Sequence, residues 1–266
     1  MASSELHVKP SENATQPRVK PRPQESAIPT PFTYFPSDDG TDENLLIILH
    51  GLGDTHVPFA KLGRQLKLPQ TATLALQGPQ QIPYLYEESF QWYPSFDPLG
   101  EMLERPDPTP ALTLMKAILD HLTSNCGWHP DHIHLFGFAQ GGSVAAEAGI
   151  AWWRASMERS SSAPSPAPVA LGSIVTIGGP LLSYPTLSKL CPSPLLAFSR
   201  SAPGSPTLSA SDMAAFRKGY ESVRDVACAG EGMPRARDEW LPVMQFFSEK
   251  LARRVVGDVY EVLSSG

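Results

Sequence analysis

Cysteine, positive charge and long apolar runs are all scarce in this sequence of 266 residues. The three cysteines, Cys126, Cys191 and Cys228, lack the short paired spacing of a metal or redox motif. We therefore expect reduced thiols, no metal site and no disulfide framework. Because 21 Lys and Arg stand against 27 Asp and Glu, the net charge of -6 disfavours binding to nucleic acid.

Apolar residues never continue long enough for a membrane-spanning helix, and the first thirty residues contain no run that resembles the core of a signal peptide. We therefore expect a cytoplasmic protein without a transmembrane segment. The glycosylation pattern at Asn13-Ala14-Thr15 then has no secretory route and is interpreted as a coincidence of sequence.

Proline is abundant, with 28 residues, and its distribution suggests how the chain is divided. Residues 1–28 combine proline with charged and small polar residues, a composition that favours a disordered tail. A Ser-, Pro- and Ala-rich stretch at 155–168 is typical of a surface loop insertion. We expect one domain over residues 29–256, followed by a C-terminal tail at 257–266.

Short apolar runs alternate with amphipathic segments through this domain, which predicts a mainly parallel sheet with helices on both faces. Predicted strands cover residues 45–49, 71–76, 132–138, 172–177 and 194–198. Predicted helices cover residues 111–122, 143–154 and 238–254. The fold class is therefore α/β, a single doubly wound domain.

The most informative motif is Gly137-Phe138-Ala139-Gln140-Gly141, where a predicted strand turns sharply into a helix. In α/β-hydrolases this turn has the pattern Gly-x-Ser-x-Gly, and its serine projects above the sheet as the nucleophile. Ala139 occupies that projecting position here. A second motif, His50-Gly51-Leu52-Gly53-Asp54, directly follows a strand and is typical of an oxyanion loop that offers backbone N–H groups.

Together with Gln91-Trp92-Tyr93, these motifs resemble the phospholipase/carboxylesterase family, which includes the acyl-protein thioesterases. The resemblance spans about residues 29–254. It implies an α/β-hydrolase fold, ester or thioester substrates that carry an acyl chain, no cofactor, and a Ser-Asp-His triad. It also implies that Leu52 and Gln140 supply the oxyanion N–H groups. The further residues expected at the ligand site are His50, Gly51, His56 and Trp92.

The positions that match the family's triad hold Ala139, Pro203 and Glu231. A methyl group cannot attack a carbonyl carbon, and no histidine comes after the turn to act as its base. The seven histidines, all before Ala139, are His7, His50, His56, His121, His129, His132 and His134. A laboratory Ser→Ala change would leave the acid and base in place, so this pattern predicts a triad lost naturally, with no catalytic residues expected.

Three functions remain as alternatives. The first is a pseudo-hydrolase that binds an acyl or small carbonyl ligand, or a protein partner, without turnover. The second is an active ester or thioester hydrolase with non-standard groups, such as Glu231 with a pKa raised by burial. The third is a scaffold whose cleft is filled by side chains. The natural ligand and the oligomeric state are not determined by the sequence.

Several other side chains of functional type are interpreted as structural. Ser143, one turn beyond Ala139, is expected to be a helix-packing hydroxyl. His132 and His134 are expected to be a hydrogen-bonded pair in a strand, and Cys126 a structural thiol. Of the adjacent Trp152 and Trp153, one is expected to be partly exposed. An aromatic cluster, expected to fill the core or to line an acyl pocket, comprises Tyr84, Tyr86, Phe90, Trp92, Tyr93 and Phe96.

Overall fold

The fold is a central sheet between two layers of helices, as seen in a computed structural model that describes residues 7–10, 18–83, 88–97, 99–160, 167–201, 208–254 and 260–263. The strands are β1 (His7–Pro10), β2 (Phe32–Phe35), β3 (Asn44–Leu49), β4 (Thr71–Leu76), β5 (Gln80–Gln81), β6 (Phe90–Gln91), β7 (Ile133–Phe138), β8 (Ser173–Ile177), β9 (Leu195–Ser201), β10 (Val223–Ala229) and β11 (Tyr260–Leu263). The helices are α1 (His56–Gln65), α2 (Thr109–Ser124), α3 (Gln140–Ser160), α4 (Ala210–Gly219) and α5 (Arg237–Lys250).

The main sheet has seven strands in the order β10-β9-β8-β7-β3-β4-β2. Only β2 is antiparallel to its neighbour, and the other adjacent strands are parallel. All five predicted strands and all three predicted helices are confirmed, with shifts of up to six residues at their ends. The α/β-hydrolase fold class predicted from the sequence is thereby confirmed.

The two faces of the sheet carry two separate hydrophobic cores, because successive side chains of a strand point to opposite sides. In β3, Leu45 and Ile47 contribute to the core beneath α2 and α3, whereas Leu46 and Ile48 contribute to the core beneath α1 and α5. These side chains have no exposed surface. Covering helices on both sides explain why this strand is an unbroken apolar run.

The N-terminal segment at residues 18–28 contacts the domain, although its composition favoured a disordered tail. The backbone N–H of Lys20 donates to Asp42 Oδ2 at 2.9 Å, and Ile28 is 2% exposed. β1 pairs with β11, so parts of the two predicted tails form a two-stranded antiparallel sheet. The remainder of both tails lies outside the described residues, and the domain limits of 29–256 stay a prediction.

The predicted loop insertion at 155–168 begins later than expected, because α3 continues to Ser160. The expectation that Trp152 or Trp153 is partly exposed is wrong: both are buried, at 6% and 7% exposure. Trp152 Nε1 donates to Val169 O and Trp153 Nε1 donates to Lys189 O, so each indole packs against a different segment of the chain. Among the described residues, no helix is long and apolar enough to cross a bilayer.

Candidate functional site

The turn between β7 and α3 has the backbone geometry of a nucleophile elbow. Ala139 has φ of 47°, a left-handed conformation that is unfavourable for a residue with a side chain. Three hydrogen bonds hold it there: its N–H donates to Ile177 O at 2.8 Å, and its carbonyl accepts from Gly142 N at 2.9 Å and from Ser143 N at 3.1 Å. The strained turn is therefore present, with a methyl group at the projecting position.

Glycines around the elbow allow backbone segments to approach closely. A Cβ at Gly141 would lie 2.5 Å from His50 O, and one at Gly137 would lie 2.5 Å from Gly142 N. Real Cβ atoms do not come this close to backbone atoms, so only glycine fits without movement of the chain. Gly137 thus allows the end of β7 to pack against the start of α3. Gly141 allows the start of α3 to pack against the end of β3, where the oxyanion loop begins.

The oxyanion loop lies directly beside the elbow. A Cβ at Gly51 would lie 2.7 Å from the Phe138 ring, and Gly53 N–H donates to Phe90 O at 2.9 Å. Within the described part of the chain, the backbone N–H groups of Leu52 and Gln140 have no hydrogen-bond partner. Both donors predicted from the sequence are therefore available at neighbouring chain turns, and Leu52 is 39% exposed.

The Gln140 side chain joins the elbow to the segment that contains Trp92. Its Oε1 accepts from Trp92 N at 2.9 Å, and its Nε2 donates to Tyr93 O at 2.9 Å and to Ser95 Oγ at 2.7 Å. Trp92 Nε1 in turn donates to His50 O at 2.9 Å. These bonds bring together three of the residues expected at the site: His50, Trp92 and Gln140.

His50 is a buried, neutral histidine that supports the oxyanion loop. Its Nδ1 lies 2.7 Å from Gly51 O, and its Nε2 accepts from Gly78 N at 2.8 Å. Because a backbone N–H can only donate, Nε2 carries no proton and Nδ1 donates to Gly51. Burial lowers the pKa of His50 to about 4. Both ring nitrogens are occupied, so His50 is a positioning residue for the loop.

His56, at the start of α1, is held by the Gln77 side chain. Gln77 Oε1 accepts from His56 N at 3.0 Å and lies 2.7 Å from His56 Nδ1. Since the oxygen is the acceptor in both contacts, Nδ1 carries the proton and Nε2 keeps a lone pair. His56 is half-buried and lies close enough to His50 to contribute to the lowered pKa of that ring. It can accept a hydrogen bond from a ligand or a water molecule.

His134 belongs to a buried hydrogen-bonded chain that crosses β3, β7 and β8. Its Nδ1 lies 2.8 Å from Ser173 Oγ, and its Nε2 lies 3.3 Å from Asn44 Oδ1. Burial lowers the pKa of His134 to about 3. His132 is half-buried, with Nδ1 3.0 Å from Glu43 O. His134 lies inside the sheet, whereas His132 ends a 3-10 turn (Pro130–His132) just before β7. Both histidines have hydrogen-bond partners, but the expectation that they form a pair within one strand is wrong.

Two buried neutral histidines make stability sensitive to acid. His50 and His134 take up protons near pH 6.5 when unfolded, but only near pH 4 and 3 when folded. Stability is therefore fully present above pH 6.5 and falls as the pH drops through this window. His50 alone corresponds to a loss of about 3 kcal/mol. Urea unfolding at pH 7.5, 6 and 5 measures it, and equal stability at pH 7.5 and 5 contradicts this assignment.

An ion pair between a buried arginine and a half-buried glutamate lies near the segments where the family's acid and base are expected. Arg200, near the end of β9, is 5% exposed, and its Nη1 lies 2.7 Å from Glu239 Oε1. The hydrogen bond from the Arg200 side chain lowers the pKa of Glu239 to about 2, and the Arg235 N–H makes the next largest contribution. Arg200 Nη2 donates to Glu231 O at 3.4 Å. The Arg200–Glu239 pair thus fastens residues 230–239 to the end of the sheet.

Of the two positions expected to match the family's acid and base, the structure describes only that of Glu231. Glu231 is exposed, so it lacks the burial on which the hypothesis of a general base at this position depends. Pro203 lies outside the described residues. Arg200 and Glu239 were not found from the sequence, because their side chains meet across 39 residues of chain. The signal available in the sequence was an arginine just after the apolar run of a strand.

Ser143 and Glu147 lie on the buried face of α3 behind the elbow. Ser143 is 1% exposed, and its Oγ lies near the Tyr93 phenol without a hydrogen-bond partner among the described residues. Glu147 Oε1 accepts from Leu182 N at 2.8 Å and Ser183 N at 2.7 Å. Its Oε2 accepts from Ser183 Oγ at 2.8 Å. Ser143 therefore packs inside the fold, and Glu147 anchors the loop after β8.

The aromatic cluster divides between core and surface. Trp92 and Tyr93 are buried, whereas Phe96 is 49% exposed. Tyr84 and Tyr86 lie outside the described residues. Cys126 is buried with its Sγ 3.5 Å from His121 Nε2, and burial raises the pKa of its thiol, as expected of a structural cysteine.

A family model and two sequence relatives match this chain, one of them over most of its length. The family model for phospholipase/carboxylesterase matches residues 36–154. An uncharacterised hydrolase of Mycosarcoma maydis is 40% identical over 230 residues, which cover 84% of this chain and 82% of that protein. An uncharacterised hydrolase of Schizosaccharomyces pombe is 33% identical over 114 residues, which cover 40% of this chain and 47% of the relative.

Solved structures agree in fold. Esterase PE8 superposes with a TM-score of 0.63 at 22% identity, over 84% of this chain and 98% of its own. Acyl-protein thioesterase 2 of Zea mays has a TM-score of 0.62 at 17% identity, over 84% of this chain and all of its own. With the elbow, the loop beside it and the M. maydis relative, these findings place the chain in the phospholipase/carboxylesterase family of α/β-hydrolases.

Proposed function

We propose that this family member is a pseudo-hydrolase, which binds an acyl or small carbonyl ligand at the elbow and does not turn it over. The observation that carries the proposal is Ala139 in a strained left-handed turn beside the N–H donors of Leu52 and Gln140, which have no partner among the residues that the structure describes. Such donors stabilise a ligand oxygen whether or not a nucleophile is present. Because the cysteines at 126, 191 and 228 are free thiols, we also propose a cytoplasmic location.

The chemistry of the elbow supports binding without turnover. Acyl transfer needs a lone pair on the projecting side chain and a base to take its proton, and Ala139 has neither. An Arg–Glu pair occupies the neighbouring region, and the sequence contains no histidine beyond His134. What remains are donors that suit a carbonyl or carboxylate oxygen, with Trp92 and Gln140 holding the loop and the elbow together.

Labelling with a fluorophosphonate and hydrolysis of short-chain p-nitrophenyl esters test the absence of turnover. We expect no labelling of the native protein. Ala139→Ser restores the hydroxyl without a base, so its ester hydrolysis should stay within about tenfold of the native protein, near the residual level that donors and binding alone provide. Stoichiometric labelling of the native protein would refute the proposal.

Binding is tested separately by thermal unfolding with a series of short-chain carboxylates, because a ligand that binds only the folded state raises the melting temperature. Ala139→Asn is the matched variant: asparagine tolerates the left-handed conformation and fills the space above the elbow. We expect the carboxylate-dependent shift in the native protein and its loss in Ala139→Asn. If no carboxylate gives a shift, the cleft is not a ligand site, as in a scaffold.

A second candidate function is slow hydrolysis by an activated water molecule. It is favoured by His56, whose Nδ1 is held by Gln77 and whose Nε2 keeps a lone pair next to the oxyanion loop. Such a histidine can take a proton from water. Ester turnover without fluorophosphonate labelling, lost in His56→Ala and retained in His129→Ala, an exposed histidine outside the site, would favour this candidate.

A further inference from the structure

An apolar groove of about 230 Å³ lies between α2 and α3, away from the elbow. Its floor is formed by Leu119, Ala148 and Trp152, which are 1%, 3% and 6% exposed. Ala148 lies nine residues beyond Ala139, so the nearest part of the groove is about 14 Å along the helix from the turn. The groove is thus a separate feature, and a ligand bound in it would be independent of the function proposed for the elbow.

Small residues on α3 create the depth of the groove. Ala148, Ala151 and Ala155 line it at intervals of three and four residues, which places them on one face of the helix. The lining extends from Ala148 to Arg159, about 16 Å of helix, and over a similar length of α2. The groove is therefore long and narrow, a shape that suits a single extended aliphatic chain.

The walls offer few free polar atoms to a ligand. Trp152 Nε1 is already bonded to Val169 O at 3.0 Å, so the indole presents carbon to the groove. The Thr113 hydroxyl donates to Thr109 O at 2.9 Å, within the helix. Because hydrogen bonds inside the protein use these groups, the floor and walls suit an aliphatic chain rather than a polar molecule.

Two cations stand at the rim. Lys116 Nζ lies 2.6 Å from Asp120 Oδ2, and the side chains are 63% and 41% exposed. An exposed pair of this kind contributes little to stability, so the ammonium group can turn to a bound anion at small cost. The Arg159 guanidinium lies 5.0 Å from the Trp152 ring. An apolar trough with positive charge at its edge complements a molecule that has one aliphatic chain and one negative group.

We propose that the groove between α2 and α3 binds a medium-chain fatty carboxylate, with its chain on Trp152 and the alanines and its carboxylate near Lys116. The carboxylate is the part that distinguishes this ligand from other aliphatic molecules. Decanoate should therefore bind at least about tenfold more tightly than decanol, and Lys116→Glu should weaken the binding of decanoate without weakening that of decanol.

A brominated decanoate tests the location, because bromine quenches the fluorescence of a tryptophan that it contacts. We expect quenching in the native protein, its loss in Trp152→Phe, and its loss in the double variant Ala151→Leu, Ala155→Leu, which fills the trough. Ala214→Leu is the matched control, since Ala214 is an exposed alanine on α4 outside the groove. This control should quench like the native protein, and circular dichroism confirms that each variant is folded.

Two outcomes overturn the proposal. One is no quenching, or quenching that persists in both the Trp152→Phe and trough-filling variants, which would place the fatty acid elsewhere. The other is a dimer in sedimentation that the trough-filling variant dissociates, which would make a second copy of the chain the occupant. Ala139→Asn distinguishes this proposal from the one for the elbow: the variant should lose carboxylate binding at the elbow, whereas the quenching of Trp152 should be unchanged.

Discussion

Gly141→Ala is expected to lower the free energy of unfolding by at least about 3 kcal/mol, since overpacking against rigid backbone has few ways to relax. The added Cβ would clash with the carbonyl oxygen of Leu49, the last residue of the fully buried strand β3, and would lie 2.5 Å from His50 O just beyond it. Alanine is otherwise the better helix residue by about 1 kcal/mol, so any loss comes from the clash. Urea unfolding followed by circular dichroism measures it.

Gly53→Ala is the control for this experiment. Gly53 has φ of 83° but open space where a Cβ would stand, so alanine there suffers only backbone strain, of about 1 kcal/mol. The comparison separates close packing at the elbow from conformational strain in the oxyanion loop. If the two variants lose the same stability, the start of α3 and the end of β3 are not in the tight contact that the glycine allows.

Glu147→Ala is expected to cost about 3 kcal/mol, because the change removes the buried charged acceptor of three part-buried hydrogen bonds. Glu147 is 5% exposed, and its carboxylate accepts from Leu182 N, Ser183 N and Ser183 Oγ. The loop that it holds comes after β8 and passes behind the elbow: a Cβ at Gly179 would clash with Ala139 O and Gly142 C. Thermal and urea unfolding both measure the loss.

Glu147→Gln distinguishes hydrogen bonding from charge. The glutamine oxygen can accept from both backbone N–H groups, while its amide can donate to the Ser183 hydroxyl, which is also an acceptor. We therefore expect this variant to lose only about 1 kcal/mol, the difference between charged and neutral acceptors. A glutamine variant as unstable as the alanine variant would show that the negative charge, rather than the bonding pattern, matters at this position.

Strands buried on both faces were predictable because the side chains on both of their faces contact the core, which makes their sequences rich in apolar residues. The apolar run at 45–49 and the alternating segment at 71–76 correspond to β3 and β4 with little change. Edge and short elements were missed for the opposite reason. β10 is half-exposed, and the charged residues Arg224 and Asp225 leave it only a short apolar run of small residues at 226–229, although it pairs with β9 along its whole length.

Side-chain partners across the chain could not be predicted from local patterns. Arg200 meets Glu239 and Gln140 meets Trp92 only because the strands are ordered as they are in the sheet. The burial of both Trp152 and Trp153 also depends on segments that lie elsewhere in the sequence. Adjacent positions on a helix point in different directions, but two separate loops, which contain Val169 and Lys189, cover the two indoles.

The sequence by itself determined the family motifs and the chemical deficit at the elbow, since a methyl group at Ala139 and the lack of any later histidine are properties of composition and order. Tertiary structure alone decided which groups meet. It placed the oxyanion loop against the elbow, brought Arg200 to Glu239 beside the end of β9, and left a groove between α2 and α3. Such contacts depend on distances between segments remote in sequence, which local periodicity does not encode.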